Sequence, residues 1–107
     1  MVMMNPQDRL ASDRRDGERI TYTEHLRVRK PTSQHAIGAD ISARGISIVV
    51  PQQIEEGTQV ELEMFGGTVF VSGKVTKVSP GIRGFRVGIQ FSEEQPTVLA
   101  KAKGARR

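Results

Sequence analysis

The sequence predicts an all-β fold: a six-stranded antiparallel β-barrel with a short C-terminal helix and a flexible basic N-terminal arm. Three observations carry this. Apolar residues recur at every second position in short runs from residue 20 onward, the mark of strands with one buried face. Eleven glycines and five prolines in 107 residues mark many turns, and hence short strands. Hydrophobic residues make up 36% and aromatics only 5%, so the core is modest and rests on Ile, Val and Leu. Six short strands, each with one apolar face, hide those faces by closing the sheet on itself.

Along the chain, residues 1–13 are polar and without sustained periodicity, and are expected as a flexible arm. Residues 14–104 then form one domain, with no repeat or linker to divide it. A first strand lies within residues 21–30, with Leu26 and Val28 facing in. In residues 36–42, Ile37, Ala39 and Ile41 share one face, and Gly38, Asp40 and Ser42 the other. Residues 46–50 turn Ile46, Ile48 and Val50 one way. Val60, Leu62 and Met64 alternate with Gln59, Glu61 and Glu63 in residues 58–64. Val69, Val71, Gly73 and Val75 share a face in residues 68–78. In residues 85–91, Phe85, Val87, Ile89 and Phe91 alternate with Arg86, Gly88 and Gln90. Lys30-Pro31-Thr32-Ser33, Glu56-Gly57, Gly66-Gly67 and the stretch from Pro80-Gly81 to Gly84 supply the turns. Over residues 92–103 the pattern becomes helical. Ser92 with Gln95 resembles a capping box, Pro96 suits a first turn, and Val98, Leu99 and Ala102 form a narrow apolar stripe that Gly104 would end.

Composition excludes several functions. With no cysteine there is no disulfide, no thiolate chemistry and no cysteine zinc site. No apolar run approaches the roughly 20 residues of a membrane span, and residues 1–8 lack the apolar centre of a signal peptide, so a cytoplasmic location is expected. The formal net charge of +4 favours an anionic partner. Basic residues gather in residues 9–19, 27–30 and 101–107, while residues 52–64 are acidic.

Two short segments bear chemistry. Asp13-Arg14-Arg15-Asp16-Gly17-Glu18-Arg19 precedes the strands. Guanidinium forks suit phosphate oxygens and the O6/N7 edge of guanine, so Arg14, Arg15 and Arg19 are suited to an anionic, guanine-bearing ligand. Composition alone favours a solvated charged arm, its charge softened by Asp13, Asp16 and Glu18. Asp40-Ile41-Ser42-Ala43-Arg44-Gly45 follows. Alternation puts Asp40 and Ser42 on the outer face, where an aspartate can accept from a guanine's N1 and N2 donors. Gly45 permits a tight turn and close backbone approach. Alone, Asp40 and Ser42 also fit a turn capped by local backbone bonds.

Together the two segments resemble the PilZ domain family. Arg15 and Arg19 have the arginine, three residues, arginine spacing. Asp40, Ser42 and Gly45 have the Asp/Asn-x-Ser-x-x-Gly spacing, and Arg86-Val87-Gly88-Ile89-Gln90-Phe91 resembles the family's closing strand. The resemblance covers residues 14–95. It implies a six-stranded barrel that binds cyclic di-GMP on its outer surface. Arg15 and Arg19 would grip phosphate and guanine, Asp40 and Ser42 would contact a guanine, and Gly45 would shape the turn. Arg14 occupies the position at which an arginine often accompanies an intercalated ligand dimer. The implied role is a receptor that changes the conformation of its arginine loop and signals to a downstream protein, with no cofactor and no catalysis.

Other residues carry less. His25 and His35 lie ten apart with no cysteine near, and read as surface or partly packed histidines. Glu55-Glu56 and Glu93-Glu94 read as solvated turn charges, and Ser42, Ser47 and Ser72 lack the setting of a nucleophile. A nucleic-acid-binding small barrel suits the charge, but such barrels expose aromatics for stacking, and several of Tyr22, Phe65, Phe70, Phe85 and Phe91 fall on core-facing positions. A ligand-independent protein-interaction module is the other alternative, and the intact motifs argue against it.

Overall fold

The computed structural model describes residues 18–105. Among the described residues seven strands run in chain order: β1 Arg19–Thr21, β2 His25–Lys30, β3 Gln34–Ser42, β4 Gly45–Val50, β5 Gln59–Met64, β6 Val69–Gly81 and β7 Gly84–Phe91. A 3-10 turn, Phe65–Gly67, joins β5 to β6, and helix α1, Pro96–Ala105, follows β7. The strands pair antiparallel in the order β3-β2-β5-β6-β7-β4, and a β3–β4 pairing closes the ring. The six-stranded barrel and terminal helix are therefore present as the alternation predicts. β1 is an additional strand, laid along the end of β3 with Arg19 opposite Ser42 and Thr21 opposite Asp40.

The alternating residues build the core. Val28, Ile46, Ile48, Val50, Leu62, Met64, Val75 and Val87 are essentially inaccessible to solvent. Helix α1 buries Val98, Leu99 and Ala102 in the same cluster, so its narrow stripe becomes part of the barrel core. That burial stabilises a helix too short to persist alone.

Some expectations need correction. In β3 the inward residues are Ala36 and Gly38, not Ile37 and Ala39, and Ile37 is 41% exposed. The cause is a β-bulge. Gly38 faces Ile48 and Asp40 faces Ser47, which leaves Ala39 as an extra residue that reverses the alternation before Ile41. Gly38 is needed at that point, because a Cβ there would lie only 2.3 Å from the Tyr22 carbonyl oxygen. At α1, the capping box is not made. The first helical hydrogen bond runs from Leu99 N–H to Gln95 O (3.0 Å), which makes Gln95 the cap and leaves Ser92 outside the helix. Ser92 instead extends the sheet, its N–H donating to Ser72 O at 2.9 Å. Gly104 lies within the last turn rather than beyond it.

Candidate functional site

The second motif forms the β3–β4 hairpin. After the bulge, Ile41 points inward and is fully buried, so Asp40 and Ser42 share the opposite face. Their surroundings differ. Asp40 keeps 26% of its side chain exposed. Ser42 is only 4% exposed, which corrects the expectation of a solvated hydroxyl. Its Oγ accepts from the N–H of Arg44 at 3.1 Å and of Gly45 at 3.2 Å, closing the hairpin turn on itself. The tip is then tied to the C-terminal segment: Arg44 O accepts from Phe91 N–H at 2.8 Å, and Ala43 O from Gln95 N–H at 2.7 Å.

Gly45 serves close approach rather than an unusual turn conformation. A Cβ there would sit 2.3 Å from the Ile89 carbonyl oxygen of β7. Its lack of a side chain lets β4 and β7 meet at the hairpin.

Arg19 reaches the same place from β1. Its Nε lies 3.0 Å from Asp40 Oδ1. That oxygen is shut off from solvent, and among the described residues no N–H meets it in hydrogen-bond geometry, so the Arg19 contact is charge against charge. The other oxygen, Oδ2, accepts from Arg86 Nη2 at 3.1 Å. Arg19 and Arg86 are both about half exposed, so Asp40 is the anionic centre of an open basic rim. Arg14 and Arg15 lie outside the described residues.

A groove of about 330 Å³ opens beside this centre. Arg19, Ser42 and Gly45 line one part, and Thr76, Gly88 and Gln90 line the rest. The cross-strand row Asp40, Ser47, Gly88, Lys77 carries the polar surface across four strands. Arg86, Gly88 and Gln90 had shown in the sequence only as the outward positions of one strand. That β7 lies beside β4, and so within reach of Asp40, depends on barrel closure, which no local motif encodes. Gly88 is not required by packing: an added Cβ would meet Lys77 Cβ and Thr76 Oγ1 at 3.6 Å, an ordinary contact. Its bareness keeps the groove floor open.

Among the described residues, no three His, Cys, Asp or Glu side chains cluster as a metal site, and no helix is long and apolar enough to cross a membrane. Of the aromatic residues, Phe70 is the one with half its surface exposed, and Arg29 stacks over it at 5.4 Å.

Comparison with known proteins agrees with this fold. The family model described as PilZ domain matches residues 13–102. A crystal structure of YcgR from Escherichia coli in complex with c-di-GMP superposes with a TM-score of 0.59 at 18% identity, covering 82% of this chain and 42% of that one. The PilZ domain of the same Escherichia coli protein with c-di-GMP gives 0.56 at 16% identity, covering 80% and 83%. At these identities the likeness is one of fold. The chain spans less than half of the YcgR chain in the first of these structures. No curated protein sequence matches.

Proposed function

The chain belongs to the PilZ domain family, and from that premise we propose that it is a receptor for cyclic di-GMP. The observation that carries this is the meeting of Arg19 with Asp40 at 3.0 Å, beside a groove that Ser42 and Gly45 also line. Residues of two motifs far apart in the chain converge on one outer surface, and they have the chemistry of a dianionic, guanine-bearing ligand. The YcgR neighbours, both described with c-di-GMP, support the reading.

In this reading Arg15 and Arg19 take phosphate and guanine, and Asp40 accepts from guanine N1 and N2. Ser42 holds the hairpin that presents Asp40, and Gly45 keeps the groove open at the β4–β7 contact. Binding is an exchange. Both oxygens of Asp40 already face an arginine, so a guanine edge displaces one of them. Arg86 is the one to yield, being the more exposed at 53% against 43% for Arg19. Arg14 and Arg15 then close over the bound ligand from the segment before β1. The altered surface is what a downstream protein in the cytoplasm would read.

Calorimetric titration with cyclic di-GMP tests this. Wild type should bind. Arg19→Ala should lose about 2–5 kcal/mol, a thirtyfold loss or more, and Asp40→Ala should lose less because it meets a neutral base edge. No heat and no NMR shifts at high ligand concentration would reject the proposal.

A further inference from the structure

The two histidines that look unrelated in the sequence meet in the fold. His25 opens β2 and His35 lies near the start of β3, diagonal to each other across the pair. His25 Nδ1 and His35 Nε2 are 2.8 Å apart, with ring centroids at 4.9 Å. Both side chains are exposed, on strands that the barrel holds rigidly in register. We propose that His25 and His35 form a two-histidine site for a divalent transition-metal ion of the copper, nickel and zinc class, with water completing the coordination.

The geometry is close to that of a chelate. Imidazole nitrogens bind such ions at about 2.0–2.1 Å. Two of them at ligand–metal–ligand angles of about 90–110° stand roughly 2.9–3.4 Å apart. The pair needs only to open by a few tenths of an ångström and to turn both lone pairs toward a common point. One ring must also move its proton to the other nitrogen, since one of the facing atoms is a donor in the hydrogen bond. Imidazole donors favour the borderline ions over calcium or magnesium, and copper(II) stands first in the affinity order.

The surroundings set the strength. A hollow of about 180 Å³ beside the pair is lined also by Glu63, Gly66 and Gly67, leaving room for bound water. The Glu63 carboxylate supplies negative charge to that hollow, although Arg29 Nη1 holds it at 3.3 Å. Arg27 opposes a dication. It sits directly across from His35, with its guanidinium toward Ser33 Oγ at 3.3 Å. The site is therefore open and moderate in affinity, unlike a closed structural zinc site with four protein ligands.

The chain contains only these two histidines, so wild-type spectra need no assignment by mutation. Titration of the full chain with zinc chloride should shift both imidazole ring signals together, saturating at one ion per chain. With copper(II), electron paramagnetic resonance should show two nitrogen ligands. His25→Ala and His35→Ala should each weaken copper(II) binding by about tenfold or more, and the double variant should do little beyond either single one. Arg27→Gln should tighten binding a few-fold. Rings that do not shift with zinc, or single variants that bind copper(II) as wild type does, would overturn the proposal and place the ion elsewhere on the chain. Because both histidines are exposed, melts matching wild type are expected for the variants. The wild-type ring signals decide the matter independently of them.

Discussion

The hydroxyl of Ser42 is committed to two N–H groups of its own turn. Ser42→Ala takes away the acceptor of the buried Gly45 N–H and of the part-buried Arg44 N–H, and we expect about 1–3 kcal/mol of stability to be lost, measured by urea unfolding. Any change in ligand affinity of that variant is meaningful only against its melt. Tyr22 makes a different kind of prediction. It is 1% exposed, and its hydroxyl has no hydrogen-bond partner among the described residues. Burial, assisted by nearby Glu24, pushes its pKa from 10.0 up to about 12. Below pH 10 the tyrosine is neutral whether folded or not, and the stability is whole. Between about pH 10 and 12 the unfolded chain ionises first, so stability falls, by about 2–3 kcal/mol in all. Tyr22→Phe should remove that part of the alkaline decline while matching or exceeding wild type at neutral pH. Identical pH profiles for the two proteins would show that the ring does not control it.

At the scale of the element, β3 carries the lesson. Alternation located the strand, yet it assigned Ile37 and Ile41 to one face, because a one-residue bulge at Ala39 leaves no trace in hydrophobic pattern. The signal that marked the spot was Gly38, a glycine inside a strand, which often means a bulge or a close backbone approach. The consequence is testable. Ile41→Ala should cost about 2–5 kcal/mol through lost burial and a cavity, whereas Ile37→Ala, at a half-exposed position, should cost about 1 kcal/mol or less. Thermal melts that rank the two alike would contradict the bulge. Helix α1 was legible as an element because Val98, Leu99 and Ala102 fall on one stripe. Its cap was not, since Ser92 is drawn into a strand-like bond with Ser72 that no local pattern specifies.

For the whole molecule, strand order is what the sequence leaves unwritten. The paired motifs made Arg19, Asp40, Ser42 and Gly45 visible as candidates. Arg86 joined them only through barrel closure, where Arg86 lies across from Val49, and Val49 across from Ile37. The same closure lays Gly88 and Gln90 along the groove. Gly88→Val is the sharpest probe of that surface: it should fill the floor and weaken cyclic di-GMP binding while the melt stays close to wild type, since an added Cβ meets only ordinary contacts, the nearest backbone atom being Lys77 O at 4.0 Å. Affinity should also fall as salt rises, because phosphate contacts contribute. Because Arg14 holds the sequence position that the family resemblance links to a ligand dimer, we propose two ligands per chain, falling to one in Arg14→Leu. Saturation of wild type at a single equivalent in calorimetry would reject the pair.

The contact that Gly45 makes possible runs between distant parts of the chain: Gly45 faces Gln90, and its missing side chain admits the Ile89 carbonyl. The groove straddles this seam. Half of it therefore does not exist until β7 has docked, a step that must wait for a long loop to close. A molecule seated there acts as a clasp across the β4–β7 join. It would grip only the finished barrel and add RT ln(1 + [L]/Kd) to its stability. It would also slow any parting of β4 from β7.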